Sequence, residues 1–94
     1  MERTFEVIYH PKVLDQDLKK LSKKVLIQIK ISIEDKIQGN PIKFGKHLSG
    51  TLKNYFSIRV GNYRIVYEIK GDKAIILICE HRSRVYKEAI KRLF

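Results

Sequence analysis

This 94-residue chain predicts an α+β fold in the order β-α-α-β-β-β-α. The run from Tyr55 to Lys70, YFSIRVGNYRIVYEIK, carries β-branched and aromatic residues on both sides of Gly61-Asn62 and reads as a hairpin. Upstream of it, two stretches repeat apolar residues at helical spacing, and a third such stretch closes the chain. A helical hairpin packed on one face of a small, mostly antiparallel four-stranded sheet satisfies all three observations.

Taken in order, Thr4 to Tyr9 (TFEVIY) alternates and is rich in β-formers, so it predicts the first strand. His10-Pro11 opens a helix, with proline at its tolerated first position. Leu14, Leu18 and Leu21 are the expected buried stripe of that helix, and Ser22 with the lysines after it forms a short turn. The second helix spans about Lys23 to Gln38, with Leu26, Ile29, Ile33 and Ile37 facing the core and Gly39, Asn40 and Pro41 ending it. Val25, Ile27 and Ile31 widen its apolar surface, for deeper packing (the reading preferred here) or as a patch kept for a protein partner. Residues 42–54, IKFGKHLSGTLKN, form a basic connection into the hairpin.

Glycine at the first turn position suits a two-residue type II′ turn, which sets the register. Val60 then faces Tyr63, Arg59 faces Arg64, Ile58 faces Ile65, Ser57 faces Val66 and Phe56 faces Tyr67. Alternation puts Phe56, Ile58, Ile65 and Tyr67 on a core face and Ser57, Arg59 and Arg64 on the other. Two facing arginines repel. Such a pair reaches into solvent, finds a carboxylate, or holds an anion. After a second tight turn at Gly71-Asp72, the strand Lys73 to Glu80 is apolar on both faces from Ala74 to Cys79, so it is central or covered by a helix. A two-residue turn there sets Cys79 opposite Arg64, with His81 further along the same face. Val85, Tyr86, Ala89, Ile90 and Leu93 then keep helical spacing, with Ser83 as the expected cap. Without a linker, repeat or low-complexity segment, residues 1–94 are expected to be one domain.

Twenty Lys+Arg against ten Asp+Glu give a net charge of +10, which favours polyanionic partners, nucleic acid foremost, although solubility explains a basic surface equally well. The single Cys79 excludes an intrachain disulfide and suits a reducing cytosol; its place in an apolar run makes it a buried structural thiol rather than a nucleophile. The chain opens without a charged-then-apolar leader and has no run of membrane-spanning length, so a cytoplasmic protein without membrane contact is expected. His10, His47 and His81 are scattered without metal-ligand spacing, so neither metal nor cofactor is expected. No phosphate-cradling GxxxxGK[ST] motif, nucleophile elbow or paired acids are present.

What chemistry the chain offers lies where the Arg59/Arg64 face meets Glu80-His81-Arg82-Ser83-Arg84-Val85-Tyr86. Guanidinium groups bind phosphate bidentately and stabilise charge developing on it. Tyrosine stacks on a base or assists proton transfer, and histidine shuttles protons near neutrality. A metal-free ribonuclease needs these parts: a group that takes the ribose 2′ proton, cations around the five-coordinate phosphorane, and a group that protonates the leaving 5′ oxygen. Each has a plainer reading. His81 at a strand end is also an ordinary solvated histidine, and Tyr86 falls on the apolar stripe of its helix. Lys43, Lys46 and Lys53 are also loop charges. Lys19, Lys20, Lys23 and Lys24 mark the wet end of the helical hairpin or contact nucleic-acid backbone.

HLSG (47–50), YFSIRVGNYRIVYEI (55–69) and HRSRVYKEAIKRLF (81–94) together resemble the RelE/ParE superfamily of toxin–antitoxin toxins, on its RelE side. The resemblance covers nearly the whole chain, and its R-x-G-x-Y-R-x-x-Y core followed by H-R-x-x-x-Y is fairly specific as a pair. It implies a RelE-like, compact ribonuclease-type fold that enters the ribosomal A site and cuts mRNA without a metal. It also implies a cognate antitoxin that wraps and silences the toxin, in a toxin–antitoxin heterotetramer. By position, Arg64 matches the strand arginine that stabilises the transition state, and Tyr86 the tyrosine that stacks on RNA and assists cleavage. Arg82 falls in the basic cluster after the last strand, and His81 stands where many relatives have histidine. Arg59 matches a phosphate contact, and Lys43, Lys46 and Lys53 are the further RNA-binding candidates. One departure stands out: some members carry lysines on the strand before the turn, one of them acting in proton transfer, where this chain has Tyr55 and Ser57. Either His81 or a loop lysine, Lys53 or Lys46, takes that role, or activity is weak or lost.

The leading expectation is therefore a ribosome-dependent mRNA endoribonuclease toxin. The runner-up is a ParE-like toxin that poisons DNA gyrase by binding it. A basic nucleic-acid-binding module without catalysis is the third reading.

Overall fold

In the computed structural model, which describes residues 4–94, the strands are β1 (Glu6–Tyr9), β2 (Lys46–His47), β3 (Phe56–Val60), β4 (Tyr63–Lys70) and β5 (Lys73–His81). They form one five-stranded sheet in the order β1-β5-β4-β3-β2, with β1 parallel to β5 and every other pair antiparallel. The expected hairpin register holds at all five positions, from Phe56–Tyr67 to Val60–Tyr63. Gly61 takes φ +60°, and among the described residues no non-glycine residue has positive φ. That excludes a type I′ turn, which would need Asn62 in the left-handed region, and fits the type II′ turn.

The fifth strand is a correction. Lys46–His47, expected within a loop, pairs with Ser57 and Phe56 at the sheet edge. Before it, Pro41–Phe44 makes one helical turn capped by the Asn40 side chain, which accepts from the Lys43 N–H. A two-residue strand flanked by turns has too few residues to show alternation, which is why it reads as loop.

A second correction concerns β5. Pairing with β4 runs in the expected register as far as Tyr67–Ile76 and then skips Leu77, so that Val66 faces Ile78, Ile65 faces Cys79 and Arg64 faces Glu80. Arg64 is therefore not opposite Cys79. His81 pairs with Tyr63 instead of following on the face of Arg64. The bulge leaves no sequence trace because Ile75-Ile76-Leu77-Ile78 is apolar whichever way each residue points.

Two cores lie on the two sides of this sheet. On one, Ile58, Ile65, Tyr67, Ala74 and Ile76 pack against Val13, Ile29, Ile33 and Ile37 of the helical hairpin. On the other, Val66 and Ile78 pack against Val85 and Ala89 of the final helix, Val85–Leu93. The strand apolar on both faces is thus interior to the sheet and covered twice. The second helix is α-helical over Lys23–Ser32 and opens to i→i+5 bonding over Ile33–Ile37. Ser22 caps its start by accepting from the Val25 N–H.

Three packing expectations need correcting. In the first helix the π turn Val13–Asp17 rotates the stripe, so Val13 and Asp17 are buried while Leu14 is 50% exposed. On the second helix Val25 does pack on the core, but Ile27 and Ile31 are about half exposed. Ile27 joins Leu14, Leu18 and Leu26 along an open apolar groove of about 370 Å³. Finally, Ser83 does not cap the last helix. Arg84 holds the cap position without a side-chain bond, and the Ser83 hydroxyl is engaged by His81. Among the described residues no helix is long and apolar enough to cross a membrane.

Candidate active site

The II′ turn brings Arg59 and Arg64 directly opposite each other. Their guanidinium groups separate by taking different neutral acceptors. Arg59 Nε donates to the Gly61 carbonyl at 2.9 Å, and Arg64 Nη1 donates to Ser57 Oγ at 3.0 Å. The bulge sets Glu80 beside Arg64, yet the Glu80 carboxylate is used elsewhere. It accepts the His81 N–H at 2.6 Å and pairs with Arg84 at 3.3 Å. Among the described residues, Arg59, Arg64 and Arg82 have no carboxylate within ion-pair distance.

These three arginines line one open hollow of about 390 Å³, completed by His81 and Ser83. An uncompensated cluster of guanidinium groups in a concave surface focuses positive potential and favours an anion. The Arg82 N–H donates to the Asn62 carbonyl at 2.8 Å, which fixes the end of β5 against the hairpin turn. His81 lies edge-on to Tyr63, ring centroids 5.6 Å apart. Its Nδ1 accepts the Ser83 N–H at 3.2 Å and lies 2.8 Å from the Ser83 hydroxyl. Since Nδ1 is an acceptor, the ring proton of neutral His81 belongs on Nε2.

Tyr86 is not in this hollow. It is half-buried on the final helix, partly in the smaller core, and its hydroxyl lies 3.2 Å from Ser57 Oγ. Arg64, Ser57 and Tyr86 thus form a hydrogen-bonded row beneath the surface. On the far side of that row Tyr86 borders a second hollow, about 310 Å³, with Lys46, His47, Leu48, Ser49 and Leu52. Lys46 is the cross-strand partner of Ser57, so it shares that sheet face. His47 belongs to the other face, stacked on Phe56 at 4.8 Å, and its Nε2 donates to the Lys53 carbonyl.

Of the residues singled out from sequence, Arg59, Arg64, His81 and Arg82 meet in one hollow, and Lys46 and Tyr86 in the next. Lys43 and Lys53 line neither; Lys43 is exposed, 5.7 Å over the Phe44 ring. Sequence reasoning placed Ser57 on the arginine face but gave it no partner. Ser83, expected as a helix cap, lines the arginine hollow instead, and the hollow beside HLSG was not anticipated. An alternating strand shows which face a small serine occupies, not what stands above it.

The model of the ParE toxin of type II toxin-antitoxin systems, parDE, matches residues 7–86. The chain belongs to that family, within the RelE/ParE toxin superfamily, and is a RelE-type toxin of a type II toxin–antitoxin system. It is similar to Toxin RelE3 of Methanocaldococcus jannaschii, 36% identical over 78 residues that cover 80% of this chain and 89% of the relative. Toxin RelG of Mycobacterium tuberculosis is 31% identical over 74 residues, 77% of this chain and 85% of that one. Among solved structures, the toxin–antitoxin complex RelBE2 from Mycobacterium tuberculosis superimposes with a TM-score of 0.77 at 28% identity, covering 84% of this chain and 99% of that one.

Proposed function

We propose that this toxin cleaves mRNA on the ribosome by metal-free attack of a ribose 2′ oxygen on the adjacent phosphorus. The observation that carries this reading is the hollow shared by Arg59, Arg64 and Arg82, three guanidinium groups without carboxylate partners among the described residues. The scissile phosphate binds there. As the P–O2′ bond forms and the P–O5′ bond breaks, the extra negative charge on the phosphorane meets fixed cations in place of mobile water. The 2′ proton leaves to a base and the departing O5′ gains one, giving a 2′,3′-cyclic phosphate and a 5′ hydroxyl. His81, in the same hollow with its ring proton on Nε2, and Tyr86, in the adjoining hollow along which the RNA strand continues, are the two groups suited to carry those protons.

Primer extension on translated mRNA after induction tests this reading. Cuts within codons at the A site are expected. Arg64→Ala and Tyr86→Ala each relieve growth arrest and lower cleavage by about 10²-fold or more, with unfolding midpoints near the parent's. If both variants arrest growth and cut mRNA like the parent, the site lies elsewhere.

The family description, a ParE toxin, favours a second reading: binding and poisoning of DNA gyrase without RNA chemistry. DNA breaks with an SOS response, and no A-site cuts, would support it.

In either reading we assign the chain a cognate antitoxin, as in the RelB–RelE antitoxin–toxin complex from Methanococcus jannaschii, which superimposes with a TM-score of 0.69 at 31% identity over 86% of this chain and 96% of that one. The groove along Leu14, Leu18, Leu26 and Ile27, bordered by Lys23 and Lys30, suits an amphipathic, acidic segment of such a partner. A small open reading frame adjacent to the gene, encoding a protein that co-purifies with this chain, is the expected finding.

A further inference from the structure

We propose that Ser57 is a positioning residue for cleavage, and that its hydroxyl couples the Arg64 guanidinium to the Tyr86 phenol. The proposal rests on the RNA-cleavage reading above.

Ser57 is 1% exposed, one of only two buried polar or charged residues in the described chain. Its Oγ stands 3.0 Å from Arg64 Nη1 and 3.2 Å from the Tyr86 hydroxyl. A serine hydroxyl has one proton to give and two lone pairs to fill. Arginine can only donate, so Arg64 takes a lone pair. The serine proton, shut away from water, then goes to the Tyr86 oxygen, and no buried side-chain polar atom among the described residues is left without a partner. A hydroxyl that accepts from a cation becomes a better donor in turn. The row therefore runs Arg64 to Ser57 to Tyr86, and the Tyr86 proton is left free for the neighbouring hollow.

Geometry explains why a small neutral residue serves here. Ser57 lies under the final helix, where a long side chain would displace Tyr86. A cation is already supplied next door by its cross-strand partner Lys46, on the same face and lining the hollow that Tyr86 borders. Ser57 thus links the arginine hollow to the HLSG hollow, and its loss leaves both in place but uncoupled.

The test is a double-mutant cycle on the full chain acting on programmed ribosomes in single turnover. Ser57→Ala is expected to lower the maximal cleavage rate roughly tenfold to hundredfold, the rate equivalent of one hydrogen bond to a charged group. The half-saturating toxin concentration should stay within about twofold, because the phosphate hollow is intact. In a Tyr86→Phe background the same change should cost clearly less, since only the Arg64 tether is then left to lose. Costs that multiply in the double variant, or an unchanged maximal rate, overturn the proposal. If Ser57→Ala does not fold, Ser57→Cys keeps the volume with a much weaker donor and carries the same expectation.

A second measurement needs no RNA. In nitrogen-edited NMR spectra, the Arg64 Nη signals should be resolved in the parent and in Tyr86→Phe. They should merge in Ser57→Ala as guanidinium rotation speeds up. Identical signals in all three overturn the proposal. A parent that cuts no RNA overturns the cleavage reading, and with it the catalytic role of Ser57, whereas the Arg64 spectrum still decides whether the tether exists.

Discussion

The Cys79 thiol, 3% exposed beside its cross-strand partner Ile65, is pushed from the ordinary 9.0 up to about 12, by burial first and then by the charges of Asp17 and Glu80. It therefore stays a protonated, inert core group. The unfolded thiol ionises near 9 and the folded one only near 12, so between them the unfolded chain releases a proton that the native chain keeps. Stability from this residue is full below the lower value and is lost as pH rises towards the upper one. We expect urea midpoints to fall across that interval in the parent and less steeply in Cys79→Ala. A disulfide reagent should also label Cys79 quickly only after denaturation. That Cys79 is buried was legible from its apolar run, as the shared face of Arg59 and Arg64 was from the hairpin. The Ser57–Tyr86 contact was not, because it joins residues 29 apart through the phase of a helix against a sheet.

At the scale of elements, the turn Pro41–Phe44 and strand β2 are held by a close approach that only glycine permits. The Tyr67 hydroxyl, rising from β4, donates to the Pro41 carbonyl. A Cβ on Gly45 would stand 1.9 Å from that hydroxyl and 2.8 Å from the carbonyl. Gly45→Ala must therefore push the hydroxyl away, at a cost of about 2–4 kcal/mol from overpacking and a lost buried hydrogen bond. Chemical denaturation measures it. Because the clash is with the phenol oxygen, Gly45→Ala should cost less in a Tyr67→Phe background; equal costs in both would show that the carbonyl contact dominates. In sequence Gly45 reads as loop punctuation, since Tyr67 is a core residue of another strand. Long periodic elements were legible, including both helices of the hairpin and the whole β3–β4 register. The short β2 and the bulge at Leu77 were not, for hydrophobic pattern carries no signal where a strand has two residues or both faces are apolar.

Across the whole molecule, Asp17 and Arg92, 75 residues apart in the chain, tie the two layers together. The bulge frees the Leu77 carbonyl, and Arg92 Nη1 donates to it at 3.0 Å. The guanidinium also grips Asp17 with bonds of 2.7 and 2.9 Å, while Asp17 accepts the Cys79 N–H at 2.9 Å. These hydrogen bonds to Asp17 hold Arg92 charged, above its ordinary range, against the opposing effect of burial. Helical spacing put Leu14 inward and pointed to no role for Asp17, whose burial comes from the π turn in the first helix. Arg92→Ala leaves a buried carboxylate uncompensated and should cost about 3–5 kcal/mol, a large share of a small domain's stability. Removing both charges with Asp17→Ala and Arg92→Ala should cost less than Arg92→Ala alone, which a urea titration of the two variants decides. The same bonds anchor the helix that carries Tyr86 at its opposite end. Arg92→Ala, assayed well below its melting temperature, should therefore also slow cleavage by letting Tyr86 leave Ser57. In a Ser57→Ala background, where there is no contact left to lose, that slowing should vanish; a slowing that persists there would mean that Arg92 acts on the site by another route.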